Sequence, residues 1–288
     1  MAGKREIGGR SAKAARIRRR RRKNQMKVLL FMVAAALLIM VLTDRQSLSG
    51  LPGLPGIISG ILSEDGKDGL SDLAEERVAG IQGIRVDIQE ELQELLTRNE
   101  EAADFVNDFA NRQKFLDQPI DLSDDCKEGQ VPLLMQWDKR WGYDAYGDSI
   151  IGLAGCGPTC LTMAYLYFTG DEDENPRTMA RFADEEGYHT TEGTSWSLWT
   201  EGVEELGLKG EELPLDESRM KSVLDRGAVI VCSMRPGDFT TTGHYIVIRG
   251  YDENGFYVND PNRRSNSEKQ WEYGELSGQI KNLWGIWG

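Results

Sequence analysis

The chain has 288 residues, 40% hydrophobic and 28% charged, which allows one folded domain of ordinary size plus an appendage and excludes disorder throughout. Its net charge of −13 is unevenly spread: residues 1–27 carry twelve Lys/Arg and one acid, and residues 28–288 sum to −24. A body this acidic argues against nucleic acid as a partner, because phosphate binding needs neutralising cations. Four cysteines, Cys126, Cys156, Cys160 and Cys232, are too few for a disulfide scaffold. Their spacing does not give a metal site, and no cofactor is implied.

Residues 1–27 form a basic tail. Val28 to Leu42 then reads VLLFMVAAALLIMVL, fifteen apolar residues without a break. A full span takes about 20 residues. Met26 and Thr43 extend the run, and Lys27 can snorkel to the interface. No small-x-small cleavage site follows in Thr43-Asp44-Arg45-Gln46, so residues 28–43 are expected to be an uncleaved signal anchor held in the lipid bilayer. The basic tail keeps the N-terminus cytoplasmic and places the acidic body outside the cell membrane.

Residues 44–70 read as a flexible linker, with the Gly/Pro/Ser-rich stretch LSGLPGLPGIISG. Residues 71–127 read as a helical stalk or extension. Ile88, Leu92, Leu95 and Leu96 form one apolar stripe at helical spacing, and Asn99 suits an N-cap for a segment carrying Phe105, Val106 and Phe109 on one face. The extension is expected to pack on the body that follows.

Residues 128–288 read as the main domain, and every Trp lies at or beyond Trp137. Helices are expected over Pro158–Gly170, from Asn175-Pro176 to Gly187, over Ser195–Leu206, and from an Asp216 N-cap to Gly227. Strands follow at Ala228–Met234, His244–Tyr251 and Phe256–Asn259, with a hairpin turn in Asp252-Glu253-Asn254-Gly255. Helices first and antiparallel strands after is an α+β order.

Gly155-Cys156-Gly157-Pro158-Thr159 places a sulfur at a helix mouth, where the dipole and unpaired N–H groups favour a thiolate. The same string is compatible with a cysteine packed as a small hydrophobe. Cys160 and Cys232 lie in apolar runs and read as core, and Cys126 sits among acids that disfavour its thiolate. A thiol nucleophile needs a base, and the chain has only His189 and His244. His244 opens a strand after Thr241-Thr242-Gly243, whereas His189 lies in a Thr-rich loop and reads as packing. Asp260 ends the next strand and is one candidate to orient His244, beside Asp138 and Asp238. A turn centred on Asn254-Gly255 would pair Asp260 with about Arg249, so contact with His244 requires an offset that Gly250 could host.

Gln136-Trp137-Asp138, Arg140-Trp141-Gly142, Gly155-Cys156-Gly157-Pro158-Thr159, Gly243-His244-Tyr245 and Asn259-Asp260-Pro261 together resemble the papain-like peptidases of cysteine peptidase family thirty-nine. These are the bacteriocin-processing, double-glycine leader peptidase type. The resemblance covers roughly residues 95–288 and is nearest to stand-alone, membrane-anchored Gram-positive members. It implies a papain-like α+β fold with Cys156 as nucleophile, His244 as general base and acid, Asp260 as orienting acceptor, and Gln136 as oxyanion donor. The chain has no GxxxxGK[ST], unlike the transporter-linked members.

The expected function is therefore a membrane-anchored, extracytoplasmic cysteine peptidase acting on a peptide or protein substrate. An acyl transferase or amidase on cell-envelope peptides and a non-catalytic envelope-binding module remain open. Trp137, Trp141, Trp196 and Trp199 are candidates for a substrate groove or for the core.

Overall fold

The computed structural model of the protein describes residues 88–288. The basic tail, the expected anchor at 28–43, the expected linker at 44–70 and the start of the expected stalk lie outside these residues. Among the described residues no helix is long and apolar enough to cross a membrane.

Among the described residues the first helix, α1, covers 88–98. It buries Ile88, Leu92 and Leu95. Asn99 ends it, and its side chain accepts the Glu101 N–H at 3.1 Å, opening a 3-10 turn at Glu100–Ala102, a short helix at Ala103–Asn107 and a further 3-10 turn at Phe109–Lys114. The expected helical extension is thus a chain of short pieces after Asn99. Its apolar residues pack with Tyr143 and Ile150. Phe105 stacks on Tyr143 at 4.5 Å, and the Tyr143 hydroxyl donates to the Phe105 carbonyl.

Helix α2, Cys156–Thr169, is the central element. Every residue from Gly157 to Leu166 is buried, which explains why its sequence has no polar face. Helix α3, Pro176–Glu185, starts with a capping box between Asn175 and Thr178 and Pro in its first turn. The expected helix over Ser195–Leu206 is divided. Trp196–Trp199 is a 3-10 turn and Glu201–Glu205 a short helix. The break coincides with a close backbone approach: a Cβ on Gly210 would stand 1.8 Å from the Trp199 carbonyl oxygen. Periodicity carries no sign of such a contact. Helix α4, Glu217–Asp225, is capped by Asp216, which accepts the Arg219 N–H at 2.8 Å.

Six strands form one antiparallel sheet: β1 Lys209–Glu212, β2 Val229–Met234, β3 His244–Asp252, β4 Gly255–Asn259, β5 Gln270–Trp271 and β6 Ile280–Trp287. Their spatial order is β1-β6-β2-β3-β4-β5. Sequence reading found β2, β3 and β4 and missed the other three. Alternation sorts the sheet's side chains into two cores. Val229, Val231, Tyr245, Val247, Trp284 and Ile286 join the residues of α2 and α3. Ile230, Cys232, Met234, Ile246, Ile248 and Val258 join Met220 and Val223 of α4.

The β3–β4 register corrects the sequence-based expectation. Asp252 pairs with Gly255, so the turn centres on Glu253-Asn254, one residue earlier than expected. Gly255 has φ +134°, a conformation that L side chains rarely adopt, and a Cβ there would stand 2.5 Å from the Trp271 carbonyl oxygen. A bulge then falls between Ile248 and Gly250. Moving the turn by one residue shifts the pairing by two, and the bulge shifts it by one more. Asn259 therefore pairs with Val247, and Asp260 follows at the level of Ile246. His244 is two residues further along β3, a diagonal neighbour within side-chain reach.

Trp199 is fully buried and lies 5.2 Å from the Tyr245 ring and 6.4 Å from that of Trp284. It joins the divided helix to the sheet beside His244. Trp199→Ala is expected to destabilise the protein by about 3–5 kcal/mol. Urea denaturation followed by circular dichroism measures this, and a loss below about 1 kcal/mol would contradict the assigned packing.

Candidate active site

Cys156 is the first residue of α2, with Gly155 before it. The first N–H groups of a helix have no intrahelical acceptor, so the sulfur sits beside unpaired donors. Pro158 lies in the same turn, where its missing N–H costs nothing. Gly157 is required by contact: a Cβ there would stand 2.3 Å from the Thr194 hydroxyl oxygen. Thr194 ends the small hairpin formed by His189–Thr190 and Gly193–Thr194. Its hydroxyl bonds the Tyr146 hydroxyl at 2.7 Å, and its carbonyl accepts from the Tyr245 hydroxyl at 2.9 Å. The helix mouth is thereby walled by two buried tyrosines.

Cys156 and Cys126 are partly exposed, whereas Cys160 and Cys232 are buried. Cys160 is fully buried, and its thiol donates to the Tyr245 carbonyl. Burial pushes the thiols of Cys160 and Cys232 well above the ordinary cysteine value. Cys126 is also raised, first by burial and then by the charges of Glu172 and Asp125.

His244 is 8% exposed and Asp260 is 0% exposed. The imidazole Nε2–H donates to Asp260 Oδ1 at 2.7 Å. Burial lowers the imidazole pKa, but the charge and hydrogen bond of Asp260, together with the hydrogen bond and charge of Cys156, outweigh it and push the value up to about 10. With Nε2 held by Asp260, the other ring nitrogen, Nδ1, is the one left for the sulfur. The His244 ring thus has both Asp260 and Cys156 as partners.

The Asp260 carboxylate has more donors than His244. Oδ1 also accepts the Asn262 N–H at 2.8 Å, and Oδ2 accepts the Asn266 side-chain amide at 2.7 Å. The Asp260 N–H donates to the Ser267 hydroxyl at 2.9 Å. Sequence reasoning missed Asn262, Asn266 and Ser267. They lie in a polar stretch, NRRSNS, that reads as an ordinary loop, and no spacing rule marks them. The other candidate acids are engaged elsewhere. Asp138 pairs with Arg140 at 2.7 Å, and Asp238 accepts from Gln279 at 2.8 Å. His189 rests against the Tyr146 ring at 4.6 Å, with Asp184 at 3.7 Å from its Nδ1.

Gln136 is 4% exposed. Its side-chain amide donates to the Gly152 carbonyl at 3.0 Å and to the Leu153 carbonyl at 3.3 Å. Its backbone N–H donates to the Pro261 carbonyl at 2.7 Å. Gln136 therefore ties the segment leading into Cys156 to the loop that follows Asp260. Its Oε1 is buried and has no hydrogen-bond partner among the described residues. Of the four tryptophans considered for a groove, Trp141 and Trp199 are core, Trp137 is half-buried, and Trp196 is 42% exposed. No group of three or more His, Cys, Asp or Glu side chains suited to a metal occurs among the described residues.

A family model described as the Peptidase_C39 like family matches residues 128–288. No curated protein matches the chain. Among solved structures, the chain is similar to the peptidase domain of Streptococcus ComA, a bifunctional ABC transporter involved in a quorum-sensing pathway. The identity there is 16%, the TM-score 0.36, and the alignment covers 46% of this chain and 90% of that one. It is also similar to a protein assigned as a C39-like peptidase from Bacillus anthracis, with 16% identity, TM-score 0.37, and coverage of 56% and 96%.

The raised His244 pKa has a consequence for stability. A histidine whose folded pKa lies above its unfolded value of about 6.5 stabilises the fold fully below that value. The contribution is lost as pH rises through the folded value of about 10. The stability difference between wild type and Asp260→Asn should therefore be largest near pH 6 and shrink steadily towards pH 10. Chemical denaturation at three pH values in that window measures it, and a constant difference would contradict the ion pair.

Proposed function

The chain belongs to the Peptidase_C39 like family, and we propose that it acts as a membrane-anchored, extracytoplasmic cysteine peptidase of papain-like fold and bacteriocin-processing type. The family supports a cysteine peptidase. The single observation that carries the catalytic reading is the buried His244–Asp260 pair with the thiol of Cys156 on the same imidazole at a helix mouth. A thiol and an imidazole so placed exchange one proton, which yields a thiolate beside an imidazolium.

In the proposed reaction the Cys156 thiolate attacks the carbonyl carbon of a peptide bond. The carbonyl oxygen takes the negative charge and is held by a backbone N–H at the mouth of α2 and by the Gln136 amide. In the resting arrangement that amide donates to the Gly152 and Leu153 carbonyls. The bond to Leu153 is the longer, and the developing oxyanion draws the donor from it. The His244 imidazolium gives its proton to the leaving amine, the C–N bond breaks, and a thioester remains on Cys156. Neutral His244 then takes a proton from water, hydroxide adds to the thioester, and the carboxylic product leaves as the thiolate and imidazolium are restored. Asp260 keeps the ring oriented and stabilises its charged form.

Membrane attachment rests on the fifteen-residue apolar run Val28–Leu42 and the basic tail before it. The expected orientation puts residues 44–288 outside. Protease added to intact cells should remove that region and leave the tail, and full protection of the body would overturn the topology.

The full-length protein in detergent micelles should cleave members of a peptide library, and Cys156→Ala should cleave none. Products should end in a free carboxylate even when an amine is added. Amide products formed with the amine would replace hydrolysis by acyl transfer. Absence of any product with wild type, while its Cys156 alkylates normally, would overturn the peptidase reading.

A further inference from the structure

Two of the residues bonded to Asp260, Asn266 at its carboxylate and Ser267 at its N–H, lie on an element too short to hold itself. Asn266 and Ser267 belong to a helix of four residues, Arg264–Ser267. Nucleating a helical turn is unfavourable, and a helix this short has no length over which to recover the cost. Its own N-cap residue, Arg263, makes no side-chain cap. The capping groups come from far away in the chain. Glu101 Oε2 accepts the Arg264 N–H at 2.6 Å, and Oε1 accepts the Ser265 N–H at 3.0 Å and the Ser265 hydroxyl at 2.7 Å. Three donors on one carboxylate satisfy the first turn of that helix and orient it.

The neighbours of Glu101 act on the same loops. The Asn99 side chain, 3% exposed, donates to the Asn262 carbonyl at 2.5 Å, and the Trp137 indole donates to the same oxygen at 2.7 Å. Asn262 is the residue whose N–H meets Asp260 Oδ1. Arg98 donates to the Thr241 hydroxyl at 3.0 Å, in the loop that leads into His244. The Arg98 carbonyl accepts from the Arg263 guanidinium. Residues 98, 99 and 101 therefore touch the segment before His244 and the segment after Asp260. All three precede the family-matched region, which begins at residue 128.

We propose that Arg98, Asn99 and Glu101 form a brace on the buried acid, with Glu101 as a positioning residue that sets the Asp260–His244 geometry through Asn266 and Ser267. The brace is a property of the extension and not of the family-matched domain. It rests on the reading of Asp260 as the acid that orients His244. Burial would raise the Glu101 pKa, but the Ser265 and Arg264 donors lower it, so the carboxylate stays ionised at neutral pH.

The test uses the full-length protein with Glu101→Ala, Glu101→Gln and Lys139→Ala. Lys139 ties the same extension to the body through Asp104 at 2.6 Å and Asp108 at 3.2 Å, without a contact to residues 260–267 among its ion pairs. Glu101→Ala should lower kcat roughly tenfold or more with KM changed by less than about twofold. The midpoint of the His244 imidazole titration, followed by its ring proton resonances, should fall towards the ordinary histidine value. Glu101→Gln keeps one acceptor oxygen and should recover part of both. Lys139→Ala should lose thermal stability while kcat and the His244 titration stay at wild-type values. Wild-type kcat and titration in Glu101→Ala would overturn the brace, as would Lys139→Ala matching Glu101→Ala in both. The titration needs no substrate. If wild type cleaves no peptide, the peptidase reading fails, and the His244 shift still decides the brace.

Discussion

One buried carboxylate constrains much of this structure. Asp260 has no solvent exposure, and an ionised group in that position must find its donors within the protein. Removing one partner from such a site costs about 3–5 kcal/mol, because an uncompensated charge remains. Three donors converge on it: the His244 ring, the Asn262 N–H and the Asn266 amide. Each comes from a different local structure, so a strand, a turn and a short helix must all be correctly placed at once. The His244 ring is held by this demand, and its charged form is favoured by it.

The placement of the sulfur answers a separate demand. Helix α2 is buried from Gly157 to Leu166, and at its mouth Cys156 is partly exposed. Gly157 lets the Thr194 side chain close over the first turn, and Tyr146 and Tyr245 bond to Thr194 in turn. Gln136 spans the two halves of the site. One end binds the Pro261 carbonyl beside the acid, and the other binds the Gly152 and Leu153 carbonyls just ahead of Cys156. A change at Gln136 therefore acts on the spacing between sulfur and ring as well as on any charge it stabilises.

Tertiary context overrode local pattern in identifiable places. The stretch Ser195–Leu206 has helical spacing and splits where Gly210 meets the Trp199 carbonyl. The hairpin turn moved by one residue and a bulge formed next to Gly250. Those two shifts carry Asp260 to the His244 ring, although simple pairing from the expected turn leaves it level with Arg249, five residues away. The candidate groove tryptophans separated in the same way. Trp141 and Trp199 fill the core, and Trp196 keeps an exposed face.

The sequence alone determined what depends on neighbours within a turn or a strand. The caps at Asn99, Asn175 and Asp216, the helix opening at Cys156-Gly157-Pro158 and the strands around His244 and Asn259 were all legible, because backbone hydrogen bonding and side-chain period are local properties. The association of Cys156 with His244 and Asp260 was legible through a family resemblance and not through spacing. Only the tertiary structure decided the register that joins ring to acid, the roles of Asn262, Asn266 and Ser267, and the reach of Glu101 across more than 160 positions to cap Arg264 and Ser265. Those contacts join residues with no local relation, each chosen by the need of a buried charge for donors, and a need of that kind leaves no period in the chain.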